Sequence, residues 1–174
     1  MLIGITGKAG SGKTTAAKFL MGKYGFRRVG FADAIKQHLY SLGLFSWDEL
    51  WINKTKASRA AMQEFGEWVR TYDFLFWNDK CASIIEDLQR MNERNIVVDD
   101  VRRISEAEMI QAMGGKLLRI YRDENDDITD YSHPTEMETD DIETDAELRN
   151  NGAVEQLYEG IELFYATIGG LKWH

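Results

Sequence analysis

The first fifteen residues read Met1-Leu2-Ile3-Gly4-Ile5-Thr6-Gly7-Lys8-Ala9-Gly10-Ser11-Gly12-Lys13-Thr14-Thr15. Leu2–Thr6 is an apolar run of strand length, glycines cluster directly after it, and Thr14–Gly22 has helical character. Gly7 to Thr14 satisfies G-x-x-x-x-G-K-[ST] in the strand-to-helix setting that the motif requires. The glycines let the backbone wrap closely, so that successive N–H groups converge on one phosphate. The helix that follows adds the partial positive charge of its N-terminus. Lys13 can place a cation between the β- and γ-phosphates, and the Thr14 hydroxyl is suited to ligate Mg²⁺. Gly7, Ala9, Gly10, Ser11, Gly12, Lys13, Thr14 and Thr15 are therefore the residues expected to hold ATP. A glycine-rich turn that binds nothing would not need the full spacing.

Outward from this stretch, short apolar runs alternate with helical ones. Phe26–Phe31 reads as a second strand and Ala34–Leu42 as a helix. Ser58–Phe76 is a longer helical region in which Ala61, Phe65, Trp68 and Val69 recur at helical spacing. Lys80–Arg94 reads as an amphipathic helix, Ile96–Asp99 as a third strand, and Glu106–Met113 as a helix stopped by Gly114-Gly115. Leu117–Tyr121 is a fourth strand, Ala146–Arg149 a short fifth, and Ala153–Thr167 a closing helix. Strands alternating with helices imply right-handed crossovers and a mainly parallel sheet. The expected architecture is one α/β domain over residues 1–174, a P-loop NTPase-type parallel sheet of about five strands with helices on both faces. Ligands bind such sheets beyond the carboxyl ends of the strands. The phosphate loop, Asp33, Asp99–Arg103 and Arg122 fall there, after strands one, two, three and four.

The chain has 174 residues, 44% of them hydrophobic and 29% charged, which is the composition of one globular domain. No apolar run approaches a bilayer span and no signal peptide is legible, so no membrane partner is expected. The lone Cys81 excludes an internal disulfide framework and fits a reducing cytosol. Net charge is −8, but Asp123–Glu147 carries 12 acidic residues and no Lys or Arg. The rest of the chain has 17 acids against 21 bases. A slightly basic body with one acidic segment suits a small anionic ligand and lacks the large basic face of a nucleic-acid binder.

A P-loop identifies a nucleoside triphosphate, not its fate. No N-K-x-D guanine-reading motif is present, and the chain is short for a motor core, which leaves small kinases. Phe31-Ala32-Asp33-Ala34-Ile35-Lys36, the stretch from Arg59 through Met62-Gln63-Glu64-Phe65-Gly66 to Arg70, Asp73, Trp77, Asp100-Val101-Arg102 and Asn150-Asn151-Gly152 resemble the deoxynucleoside monophosphate kinases of the bacteriophage type. His133-Pro134-Thr135-Glu136 is similar to an H-x-S-E turn of that group and of phosphomevalonate kinases. The resemblance implies transfer of the ATP γ-phosphoryl group to a dNMP, giving dNDP and ADP, with Mg²⁺. It implies a helical acceptor-binding insertion over 33–77, a lid over 122–144, and ATP contacts from Asn150 and Gly152. It is also compatible with a homodimer and with the cytoplasm, the host's if the gene is a phage's.

The residues carry weight without the resemblance. Arg59, Gln63, Gly66 and Arg70 recur at intervals of four, three and four, so they share one helical face. Two guanidinium forks with an amide and a glycine between them can cradle a phosphate and a base edge; the alternative is a solvated face paired with Glu64 and Glu67. Asp100, like Asp99, can hold Mg²⁺ from the end of strand three, or can cap the helix near Ser105. Arg102 can clamp the acceptor phosphate or the transferring group. Asp33 is either a helix cap or, were the acceptor an alcohol, the general base; a phosphate acceptor is already mostly dianionic and needs none. The resemblance implies Lys36 as a further substrate contact, and Arg122 is the candidate lid-base arginine, the alternative being a plain surface position; the acidic segment contains no arginine of its own. The expected site is thus catalytic Lys13, Arg102, Arg122 and Asp33; substrate-binding Asp33, Lys36, Arg59, Gln63, Gly66, Arg70, Asp100 and Arg102; and metal-binding Thr14 and Asp100. The competing readings are a kinase of another metabolite, of dephospho-coenzyme A or phosphomevalonate type, and an ATP-binding switch without catalysis.

Overall fold

The computed structural model describes residues 1–123 and 138–169. Five strands form one sheet in the order β2-β3-β1-β4-β5, with every neighbouring pair parallel. They are β1 (Leu2–Thr6), β2 (Arg27–Val29), β3 (Ile96–Val101), β4 (Lys116–Tyr121) and β5 (Ala146–Arg149). The helices are α1 (Lys13–Tyr24), α2 (Phe31–Ser41), α3 (Trp47–Trp51), α4 (Lys56–Arg70), α5 (Phe76–Arg90), α6 (Ile104–Ala112) and α7 (Val154–Ile168).

Both faces of the sheet are covered, so the central strands are buried throughout rather than alternately. Period-two alternation sorts their side chains into two cores. Leu2, Ile96, Val98 and Leu117 pack on one face against Cys81 and Ile85 of α5 and Ala107 and Ile110 of α6. Ile3, Ile5, Val97, Leu118 and Ile120 pack on the other against Ala16 and Leu20 of α1 and Leu157, Ile161 and Phe164 of α7. A third cluster lies off the sheet, where Ile35 and Leu39 of α2, Leu50 of α3 and Trp77 of α5 meet Met62, Phe65 and Val69 of α4. Cys81 is 2% exposed, and burial pushes its thiol pKa up, as expected of a small buried hydrophobe.

Several element boundaries differ from the sequence expectation, β2 being shorter and β3 longer than expected, and three differences have a clear cause. The helical region 58–76 is interrupted: Thr71 ends α4 with its hydroxyl on the Trp68 carbonyl at 2.7 Å, the Asp73 carboxylate accepts from the Leu75 amide at 3.2 Å, and α5 starts at Phe76. Apolar spacing continues across the break because both helices face the same third cluster, so periodicity alone cannot register it. The unforeseen α3 is announced by Ser46-Trp47-Asp48-Glu49: Ser46 and Glu49 form a capping box. Finally, α2 starts at Phe31, three residues early, because the Asp100 carboxylate on β3 accepts the Phe31 and Ala32 amides at 2.9 and 3.0 Å.

Candidate active site

The phosphate loop lies between β1 and α1. Gly7 has φ 134°, and a Cβ there would stand 2.0 Å from the Ile120 carbonyl oxygen; only glycine allows this approach to β4. Gly12 has φ 109° and precedes α1, with the Asn150 amide directly behind it. Asn150, buried after β5, donates from Nδ2 to the Ser11 carbonyl at 2.8 Å, while its own backbone amide donates to the Tyr121 carbonyl at 2.8 Å. The loop is thus braced from the far edge of the sheet. Lys13 is 8% exposed, and its ammonium donates to the Gly7 carbonyl and, at 2.7 Å, to the Lys8 carbonyl. Burial, with help from the Arg102 charge, lowers its pKa to about 8.

A cavity of about 660 Å³ opens from this loop. One wall is Ala9, Gly10, Gly12, Lys13, Thr14 and Thr15; Arg28, Lys36, Lys54, Arg59, Gln63, Arg70, Arg102 and Arg103 come from β2, α2, the approach to α4, α4 itself and the end of β3. Eight cationic side chains line it against the four carboxylates of Glu67, Asp99, Asp100 and Glu106. An excess of fixed positive charge in a concave space favours a polyanion.

Two ion-pair networks hold the second wall. In the first, Arg28 donates to Asp99 Oδ1 at 2.7 Å and to Asp33 Oδ2 at 2.6 Å, while Lys36, 4% exposed, donates to Asp33 Oδ1 at 2.7 Å. Burial works to raise the Asp33 pKa, but Lys36 and Arg28 outweigh it and hold the carboxyl below its ordinary value. Asp33 therefore joins two cations. It does not cap α2, where Asp100 does that work, and Asp100 in turn does not cap α6. Burial and the neighbouring Asp99 push the Asp100 pKa up.

In the second network, Glu67 Oε1 accepts from Arg70 at 3.1 Å and from Arg103 at 2.5 Å. Glu106 accepts from Arg70 at 3.2 Å and from the backbone amides of Arg102 and Arg103 at 2.8 and 3.2 Å. Burial raises the Glu106 pKa to about 7.

Most of the residues singled out in the sequence meet in this one cavity, and seven do not line it, Gly7 and Ser11 of the phosphate loop among them. Gly66 lies beneath the α4 face in the third cluster, its carbonyl accepting from Trp77 Nε1 at 3.0 Å; a Cβ there would touch Ile35. Asn150 acts on the loop from behind, and Gly152 sits at the exposed approach to α7, where a Cβ would collide with Gln156. Asp33 stands behind Arg28 and Lys36, and Arg122 is exposed just after β4, outside the cavity. Arg28, Lys54, Glu67 and Glu106 line the cavity without having been anticipated as site residues, and Arg103, expected only as part of the ligand edge, lines it as well. A basic residue on β2 at the ligand edge was a signal for Arg28. Glu67 and Glu106 take their meaning from Arg103 and Arg70, each 36 residues away.

The described ends of the acidic segment are tied down. Asp123 pairs with Arg149 and accepts from Asn151 Nδ2 at 2.6 Å. At the other end Glu138 accepts from Arg103 at 3.2 Å, Arg119 donates to the Thr139 and Ile142 carbonyls, and Lys8 pairs with Asp140 at 3.1 Å. Ile142 is 2% exposed within the first core. The turn at His133–Glu136 lies outside the described residues.

Compared with known proteins, the chain matches the family described as deoxynucleotide monophosphate kinase over residues 45–161. It is 29% identical to the "Putative deoxynucleotide monophosphate kinase" of Acanthamoeba polyphaga mimivirus, an alignment covering 92% of this chain and 94% of that one. Among solved structures it resembles dephospho-CoA kinase from Campylobacter jejuni, with a TM-score of 0.59, 14% identity and 98% of each chain covered. It also resembles TT1252 from Thermus thermophilus, with a TM-score of 0.58, 17% identity and 97% of each chain covered. At these identities the structural likeness speaks for the P-loop kinase fold. The family match begins after the phosphate loop and takes in Lys54, Arg59, Gln63, Arg70, Arg102 and Arg103 of the cavity, so it does not rest on the phosphate loop. The chain belongs to the deoxynucleotide monophosphate kinase family and is a kinase that moves a phosphoryl group from ATP to a nucleoside monophosphate.

Proposed function

We propose that the chain phosphorylates deoxynucleoside monophosphates with Mg²⁺-ATP, holding the ATP phosphates on Gly7–Thr15 and the acceptor on Lys36, Arg59, Gln63, Arg70 and Arg102. The observation that carries this reading is one continuous cavity lined by the phosphate loop and by a second set of cations from α2, α4 and the end of β3. Two polyanions set end to end are the ligands such a space suits. The acceptor phosphate oxygen attacks the γ-phosphorus as the bond to the β,γ-bridging oxygen breaks, and ADP leaves. Positioning and charge neutralisation by Lys13, Arg102 and the other guanidinium groups supply the catalysis.

The state of Asp33 favours a phosphate over an alcohol acceptor. With its oxygens on Arg28 and Lys36 and its pKa lowered, it is a poor proton acceptor. A phosphate monoester, whose second pKa is about 6, requires no base near neutrality. Asp33 then serves by holding Lys36 and Arg28 in place.

Mg²⁺ fits the donors present. Thr14 and the Asp99–Asp100 pair border the same cavity, and one hydroxyl and one carboxylate, completed by phosphate oxygens and water, are the habitual Mg²⁺ environment. Among the described residues no group of three or more His, Cys, Asp or Glu forms a metal cage. Asp100 commits both oxygens to α2, whereas Asp99 commits Oδ1 to Arg28. We therefore assign the metal-facing role to Thr14 with the Asp99–Asp100 pair, Asp99 first. When bound, the ion would neutralise charge on the β- and γ-phosphates.

We further propose that 33–77 is the acceptor-binding insertion and that the lid occupies 122–144, with Arg122 at its root. Its described parts, 122–123 and 138–144, are anchored through Asp123, Glu138 and Asp140. No helix of the described residues is long and apolar enough to cross a membrane. A cytoplasmic location, the host's for a viral gene, is supported by the mimivirus relative. A homodimer is the assembly to check by sedimentation.

The test is a panel of dNMPs, NMPs, dephospho-coenzyme A and phosphomevalonate with coupled ADP detection. dNMPs should be the acceptors used, and Lys13→Ala should abolish turnover with all of them. Arg70→Ala should raise the acceptor KM by about tenfold or more, the loss expected of one charge-assisted contact, with the ATP KM little changed. Preference for dephospho-coenzyme A, or an unchanged acceptor KM in Arg70→Ala, would refute the assignment.

A further inference from the structure

Glu106 has no part in the scheme above, yet it is 3% exposed and borders the cavity. A buried carboxylate beside an anion site opposes the ligand's charge, so its presence needs a reason. Its two oxygens do different things. Oε2 accepts the amides of Arg102 and Arg103 at the turn from β3 into α6. Oε1 turns to α4 and takes Arg70 Nη2 at 3.2 Å, across 36 residues of chain. Glu67 holds Arg70 Nη1 at 3.1 Å, so both terminal nitrogens of that guanidinium are fixed by carboxylates from separate helices. Capping α6 explains Oε2 alone.

We propose that Glu106 is a positioning residue for the acceptor: it clamps Arg70 across the cavity and sets the turn carrying Arg102, so that guanidinium groups from two elements form one preassembled phosphate pocket. The inference rests on Arg70 and Arg102 receiving the acceptor, as proposed above. A free arginine loses rotamer entropy when it grips a ligand. A clamp in the free enzyme transfers that loss to folding, and the acceptor binds more tightly for it.

The clamp depends on charge. Facing Glu106 are Arg70 and Glu67 from α4, the Arg102 and Arg103 turn, Asp100 from β3 and, through Arg103, Glu138. Chiefly through burial, its pKa stands at about 7. Below that value a growing share is protonated and loses its ionic hold on Arg70. Glu106→Gln keeps an oxygen for the turn amides and loses the charge at every pH.

The experiment compares the full-length protein with Glu106→Gln, Arg70→Ala and the double variant, measuring acceptor and ATP KM, kcat and thermal melting. At about pH 8 Glu106→Gln should raise the acceptor KM about tenfold, the scale of one charge-assisted hydrogen bond, with kcat and ATP KM within about twofold. At about pH 6 the ratio of variant to wild-type KM should shrink to about threefold or less, because the wild type has then lost much of the same charge. In the Arg70→Ala background Glu106→Gln should add less than about twofold, since the contact it serves is gone. A ratio that does not move with pH, or equal rises for acceptor and ATP, would make Glu106 a helix cap and overturn the proposal. Should Arg70→Ala itself leave the acceptor KM unchanged, the reading of the site fails; should Arg70→Ala raise it while Glu106→Gln does not, only the clamp fails. If Glu106→Gln does not fold, Glu67→Gln, on a side chain 40% exposed, decides: a several-fold rise in acceptor KM supports the clamp and none overturns it.

Discussion

Lys13 shows how far a single residue's chemistry depends on its surroundings. Burial and the Arg102 charge bring its pKa from 10.5 to about 8 in the free protein. Above that value the free enzyme holds a largely neutral amine, and binding a triphosphate must take up a proton to restore the cation. ATP affinity should therefore weaken as pH rises from about 8 to about 10, while Lys13→Met, already weak, should lose that dependence. Tryptophan-fluorescence titration across the range checks it; a flat wild-type profile would contradict the shift. The sign for stability is the reverse. A lysine lowered in the folded state binds fewer protons there than when unfolded, so its contribution improves as pH rises between about 8 and 10.5. Arg70 and Gln63 were legible as one helical face, and both line the cavity. Asp33 was legible as important but not in its role, because nothing local says that Arg28 and Lys36 will occupy its two oxygens.

At the scale of elements, the site is built where one element finishes another. Asp100 on β3 supplies the acceptor for the first amides of α2, so that helix is pinned to the sheet at the point where the cavity begins. Asp100→Ala leaves those amides without their carboxylate and should cost about 1–2 kcal/mol in denaturant unfolding, the usual worth of a helix cap. No loss would mean that relief of its burial and of its repulsion with Asp99 outweighs the cap. The five parallel strands were foreseeable from apolar runs alternating with helices, and Ala146–Arg149 was placed to the residue. The division of α4 from α5 was not, because both helices turn apolar residues to one cluster and the period runs through the break. Ser46 and Glu49 did carry the signal for α3, but a one-turn helix adds little periodicity to support it.

Across the whole molecule, two sheet-face cores carry the phosphate loop and a third carries α4, whose residues form the proposed acceptor wall. Trp77, fully buried with Nε1 on the Gly66 carbonyl, joins α5 to α4 in that third cluster. Trp77→Ala should cost about 3–5 kcal/mol, as for large core truncations. Because the loop rests on different cores, acceptor binding should fail before ATP binding as the variant is warmed, which calorimetric titration with each nucleotide would reveal. Simultaneous loss of both would show that the clusters are not separable.

What the amino-acid order settled by itself is local: a phosphate loop whose eight residues owe their function to backbone conformation, and a succession of strands and helices whose periods imply a parallel sheet. The second anion wall was decided in three dimensions. Its arginines are held by carboxylates 36 residues away, as for Arg70 and Glu106, or 71, as for Arg28 and Asp99. No spacing along the chain encodes such pairs. They form because folding brings the ends of parallel strands and helices α2 and α4 to one edge, where buried charges must find partners.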